Sequence, residues 1–225
     1  SAFSLSALRY LSAGAVTLLT VVIRKEKLPA VRDVPLFLLT GAAGFVLYVV
    51  ALNNGMETVS VSASSVIVST SPIMVALFGS ILFHEHLGKL QIVAIAVEFT
   101  GVLIVCLWNG NVYAGSGILL IVAAMLCFSG YNLLTRLLVK RYSPYQITEY
   151  SMISAAVLYL LFLPKTVGGI FEWNRSGVIS VLFLGIFGSV IAYAMWNKAL
   201  NLADKTSEVT NAMFLTPLLS SIMSF

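Results

Sequence analysis

Eight runs of mostly apolar residues follow one another along this chain with only short breaks between them, and few folds can accept that pattern. The runs are Leu5–Ile23, Val34–Leu52, Val59–Phe83, Leu90–Trp108, Gly115–Val139, Tyr145–Leu163, Gly177–Trp196 and Thr206–Phe225. Crossing a bilayer takes about 20 residues as a helix and about 10 as a barrel strand, so runs of this length read as helices. Val59–Ser64 alternates like a strand, but it flows unbroken into an apolar run and reads as a small-residue helix start. Charged residues make up only 10% of the chain. A soluble domain carries about 25%. So few charges cannot build a water-facing surface, which excludes a soluble enzyme. The apolar content excludes intrinsic disorder. The net charge of +4 is small, and its Lys and Arg gather on no polar face, so nucleic acid is not an expected partner. The expected solvent is a lipid bilayer.

Short loops make neighbouring helices antiparallel, and loop charge orients them. The first (Arg24 to Asp33), third (His84 to Lys89), fifth (Lys140 to Pro144) and seventh (Asn197 to Lys205) loops together hold nine basic residues; the other three hold two, Lys165 and Arg175. This bias makes the odd loops cytoplasmic. A missed or false helix would scramble the alternation, so the charges also support the count of spans. Ser1 is not an initiator Met and Phe225 falls inside an apolar run, so both ends read as cut. Arg9 interrupts the first run, which argues against a cleavable signal. Cys106 and Cys127 lie in apolar runs and read as buried free thiols.

The second and third spans resemble the seventh and eighth. Gly41 and Gly44 match Gly185 and Gly188 at an offset of 144 residues, while Tyr48 and Pro72 match Tyr193 and Pro217 at 145. Ser71-Pro72 answers Thr216-Pro217. A period near 145 residues gives five helices per repeat, and an odd number inverts the second copy in the membrane. The expectation is an all-α polytopic membrane helix bundle of two inverted five-helix repeats. Eight of ten helices are present: a first repeat over residues 1–108 and a second over 115–225. Inverted repeats with prolines at matching positions point to an alternating-access transporter.

The run Ala51-Leu52-Asn53-Asn54-Gly55-Met56-Glu57-Thr58-Val59-Ser60, continuing to Ser69-Thr70-Ser71-Pro72, resembles the drug/metabolite transporter superfamily, specifically its EamA branch. Glu85 after the third span and Tyr193–Leu200 leading to Pro217 carry the same likeness. It covers the whole chain as helices two to nine of a ten-helix fold. The resemblance implies export of small metabolites, often amino acids, across a plasma membrane through a central cavity between the repeats. The chain departs from the family pattern in lacking the first and last helices, and the first normally lines that cavity.

Individual residues sharpen this reading. Pro72 and Pro217 each remove a backbone hydrogen bond and are expected to kink or gate their helices. Gly41, Ala42, Gly44, Gly185 and Gly188 are expected to let backbones approach closely. Ser129, Asn132 and Arg136 share one face of the fifth span, with Tyr131 beside it, and a polar stripe in lipid should face the bundle interior. Glu98 is the most central ionisable residue and a candidate for proton coupling. Glu149 and Glu208 follow cytoplasmic loops, where an acid favours a helix N-terminus. Arg9 should snorkel or pair. His84-Glu85-His86 is a poor metal site, since two His at i, i+2 on a helix diverge and no other His exists. Tyr48, Ser69, Tyr131, Asn132 and Asn211 are the expected substrate-binding residues. A lining of hydroxyls, amides and aromatics suits a neutral or zwitterionic solute. A nucleotide-sugar or sugar-phosphate carrier is the alternative, ahead of a membrane-embedded enzyme or a receptor. No catalytic residue, metal, cofactor or ATP motor is expected. The expected partners are a small-molecule substrate and lipid, with self-association as a homodimer left open.

Overall fold

The computed structural model describes residues 2–59, 64, 67–68, 70–84, 88–89, 92–93, 96–97, 100, 116–161, 175–210 and 212. The first apolar run folds as α1 (Ala2–Arg24). It ends where Lys25 takes φ 50°. Lys25 N then donates to Val22 O (3.3 Å) and Glu26 N to Val21 O (3.1 Å), a left-handed closure that satisfies the last carbonyls. After a turn of 3-10 helix at Val31–Asp33 come α2 (Val34–Gly41), a π-helical segment (Ala42–Leu47) and α3 (Tyr48–Met56). Further on are α4 (Ser71–Phe83), α5 (Ser116–Leu138), α6 (Pro144–Leu160), α7 (Arg175–Gly185), a second π segment (Ile186–Ile191), α8 (Ala192–Leu202) and the short α9 (Thr206–Thr210). Among the described residues four helices are long and apolar enough to cross a membrane: Ser4–Arg24, Val31–Met56, Ser116–Leu138 and Gly177–Leu202. Their outer faces stay apolar where exposed: Ile23, Leu119 and Met195 are each about 70% exposed, which lipid accepts and water does not.

The chain divides into two compact units, one of residues 1–49 and 134–202, the other of 50–133 and 203–225. In the first, α6 is the hub and packs against α1, α2 and α8. Its start is set by Ser143, whose Oγ accepts from Gln146 N while Gln146 Oε1 accepts from Ser143 N, and by Pro144 in the first turn. Lipid offers no hydrophobic drive between helices, so close packing and hydrogen bonds must hold them. Gly41 shows how. A Cβ there would lie 2.8 Å from Ser151 O, 2.8 Å from Ser154 Cβ and 2.9 Å from Ala155 N. Gly185 likewise brings α7 onto Ser12 and Arg9 O of α1.

One end of this unit is clamped by a buried acid. Asp33, 5% exposed, accepts from Arg141 Nη1 (2.9 Å) and from Tyr142 Oη (2.7 Å). Ala30 N donates to that same Tyr142 oxygen at 3.1 Å, and Tyr150 Oη donates to Lys27 O at 2.8 Å. Phe37 sets its ring edge-on against Tyr142 and Tyr150. At the same end, Arg136 Nη1 donates to Leu200 O (2.9 Å), a carbonyl of the last turn of α8, and Asn201 Nδ2 donates to Val139 O (3.4 Å). The first, fifth and seventh loops therefore meet at one end, as their shared charge requires.

In the second unit α3 meets α5 through paired glycines. A Cβ on Gly55 would lie 2.8 Å from Gly117 O, and one on Gly117 would lie 2.9 Å from Gly55 O. The short α9 packs on α4, and Glu208 Oε2 accepts from Lys205 N (3.5 Å), the N-terminal role expected of that acid. Pro72 stands in the first turn of α4, where its missing N–H costs no helical bond, and Ile67 and Val68 before it are also helical.

Candidate functional site

Of the two glycine pairs that marked the repeat, Gly41 and Gly185 immediately precede the two π segments, and Gly44 and Gly188 lie inside them. The segments begin at Ala42 and Ile186, 144 residues apart, each directly after a glycine. A π turn widens the helix by one residue and shifts carbonyls out of the usual ladder, and such turns concentrate at functional sites. Each segment hands a carbonyl to a neighbouring helix. Phe45 O accepts from Tyr159 Oη of α6 at 3.0 Å. Gly188 O accepts from Arg9 Nη2 of α1 at 2.8 Å, and Arg9 Nε donates to Ser189 Oγ at 2.8 Å. Arg9 is thus held by backbone and hydroxyl oxygens within the first unit, and among the described residues no carboxylate pairs with it. Gly188 has a different role from the close approach expected of it, since a Cβ there would meet nothing nearer than 3.6 Å.

Aromatic rings fill the space around these turns. Tyr10 stacks on Tyr159 with centroids 5.8 Å apart and tilts against Phe45 at 5.3 Å. Tyr193 sets its edge on Phe45 at 4.7 Å. Tyr48 follows the first π segment directly and is half-buried. The hydroxyl of Tyr159, with Ser189 and Arg9, gives this layer a polar face set in an aromatic wall.

Tyr131 and Asn132 lie on α5 in the second unit and are fully buried. Asn132 Nδ2 donates back to Phe128 O (2.9 Å). Ser129, one turn earlier, keeps a buried Oγ with no partner among the described residues. Tyr48 belongs to the other unit. Ser69, Glu98, Asn211 and Pro217 lie outside the described residues, as do Glu85, His86 and Cys106. Among the described residues no three His, Cys, Asp or Glu come together as a metal site.

Glu149 departs from its expected place. Ser143 caps α6, and Glu149 lies more than a turn further in, 5% exposed. Its Oε1 accepts from Thr20 Oγ1 of α1 at 2.9 Å, and its Oε2 has no partner among the described residues. It lines a cavity of about 340 Å³ together with Thr20, Arg24, Tyr145, Thr148 and Lys198. The π segments were missed in the sequence because they have no periodicity of their own, and Glu149 was read as a helix-start acid because its partner Thr20 is 129 residues away. The paired glycines three residues apart were the one available signal.

A family model described as "EamA-like transporter family" matches residues 1–107 and 115–225. The chain is 29% identical over 222 residues to "Uncharacterized transporter YdfC" of Bacillus subtilis, covering 98% of this chain and 72% of that protein. It is 26% identical over 197 residues to a protein of Streptantibioticus cattleyicolor named "Probable terminal-alkyne amino-acid exporter", covering 88% of this chain and 66% of that one. A solved crystal structure 19% identical in sequence superposes with a TM-score of 0.70 over 98% of this chain and 77% of its own, a likeness of fold.

Proposed function

The chain belongs to the EamA-like transporter family, and from that premise we propose that it is a secondary transporter exporting small metabolites, amino acids among them, across the plasma membrane. In this reading two inverted repeats, residues 1–108 and 115–225, rock about a central cavity by alternating access. The supporting observation is the pair of π segments at one register, each giving a carbonyl to a donor on another helix. Helices that carry the same interruption in both halves suit a bundle whose halves exchange equivalent positions. Tyr48, Ser69, Tyr131, Asn132 and Asn211 hydrogen-bond or stack on the solute; the Ser129 hydroxyl beside Tyr131 and Asn132, without a partner among the described residues, supports a polar face on α5. Pro72 and Pro217 take the gating role and Glu98 the proton coupling. The amino-acid cargo draws support from the exporter name of one relative.

The test is flux. The natural full-length protein, reconstituted in proteoliposomes, moves labelled neutral amino acids down an imposed gradient, and Asn132→Ala slows that movement at least fivefold. Transport of nucleotide sugars instead would favour the alternative carrier. A folded protein that moves neither refutes the reading.

A further inference from the structure

The cavity beside Glu149 lies wholly within the first compact unit and contains none of the residues assigned to transport. Its lining carries both signs of charge, Glu149 on one hand and Arg24 and Lys198 on the other. At its wall is a carboxylate that is 95% shielded from solvent yet satisfied on one oxygen only. A buried carboxyl group with one oxygen unsatisfied leaves a hydrogen bond unmade, and a bound N–H group is a natural way to supply it. Thr148 cannot serve, because its hydroxyl already donates to Pro144 O (3.0 Å) and accepts from Asn197 Nδ2 (2.9 Å).

Two cations line the same cavity. Arg24 ends α1 and holds its guanidinium 5.6 Å from the centroid of the Tyr145 ring, which fixes its direction. Lys198 extends from α8 and is exposed. Among the described residues neither has a carboxylate within 4 Å. The remaining wall is apolar, made by Val190, Ile191, Ala194 and Met195. Its volume falls within the range of small-ligand sites, about 300–1,000 Å³.

We propose that this cavity binds a zwitterion, placing a primary ammonium on Glu149 Oε2 and a carboxylate or phosphate between Arg24 and Lys198, with any apolar part against Ile191 and Met195. Two sources carry that chemistry: a free α-amino acid, and the headgroup of phosphatidylethanolamine at the membrane surface. The proposal does not rest on the transport reading, and its test measures no flux.

The purified natural protein is placed in nanodiscs of phosphatidylcholine alone, whose quaternary nitrogen has no N–H to give. Thermal unfolding is followed as leucine is added, and separately in discs containing 30% phosphatidylethanolamine. One of the two raises the melting temperature by at least 3 °C; acetate and inorganic phosphate, which lack the ammonium, do not. Glu149→Gln keeps an acceptor for Thr20 but loses the charge, and Lys198→Ala removes the exposed cation without touching the core. Each weakens the stabilisation at least tenfold in apparent affinity while the protein elutes as the wild type does. Saturation by leucine identifies the free amino acid, and stabilisation by the lipid alone identifies the headgroup. Equal stabilisation of wild type and Glu149→Gln, or none from either source, overturns the proposal.

Discussion

Replacing Gly41 with Ala tests the packing of α2 on α6 more sharply than any polar change. The new Cβ would lie within 2.9 Å of Ser151 O, Ser154 Cβ and Ala155 N. Two of those atoms are backbone, so no rotamer relieves them. Ordinary carbon contacts begin near 3.5 Å, so α2 must retreat by roughly 0.6 Å. That movement stretches the Thr40 Oγ1 to Ser151 Oγ hydrogen bond, now 3.0 Å, and the Tyr159 Oη to Phe45 O bond, also 3.0 Å. Overpacking costs about 1–3 kcal/mol. Weakening the two interhelical bonds adds about 0.6 kcal/mol each. Ala returns about 1 kcal/mol of helix propensity. The net is a loss of about 1–3 kcal/mol, a fall in melting temperature of about 3–10 °C. Scanning fluorimetry in one detergent measures it, with Gly130→Ala as the control. A Cβ at Gly130 meets nothing within 4 Å among the described residues, so that variant matches or exceeds the wild type. A Gly41→Ala protein as stable as Gly130→Ala would refute the close approach of these helices.

Three further outcomes follow from the same geometry. Arg9→Met leaves Gly188 O and Ser189 Oγ without their donor and lowers stability by about 1–3 kcal/mol in denaturant titration, whereas Arg9→Lys recovers part of the loss. Asp33→Asn removes the charge that Arg141 and Tyr142 grip, costs about 1–3 kcal/mol, and exposes the first loop to limited proteolysis. Gly185→Ala drives a Cβ into Ser12 Oγ, and Ser12→Ala in the same chain restores at least half the lost stability, a coupling that a double-mutant cycle reads directly.

Spans such as Leu5–Ile23, which became Ala2–Arg24, and Gly115–Val139, which became Ser116–Leu138, were legible because they depend on length and polarity alone, while most of Leu90–Trp108 and Thr206–Phe225 lies outside the described residues. Loop charge was equally legible, since Asp33 and Arg141 come from two loops assigned to one side and now touch. Gly41 and Gly185 announced close packing, which a missing side chain alone can allow. What stayed hidden depends on partners distant in sequence. The Gly188 carbonyl lies in a π segment, and its donor Arg9 reaches it across 179 residues. Glu149 looked like a helix-start acid because its burial comes from α1, through Thr20, 129 residues away. Tyr10 and Tyr159 read as ordinary span aromatics until their rings stack.

The inverted repeat is tested most directly by the side of the membrane on which the two matching helices end. Glu57 follows α3 and Asp204 follows α8, and both are exposed. In a chain with Cys106 and Cys127 replaced, Glu57→Cys and Asp204→Cys are labelled singly in intact cells with a membrane-impermeant maleimide. The account predicts that Glu57→Cys reacts from outside and that Asp204→Cys reacts only after permeabilisation. Labelling of both from the same side would contradict it.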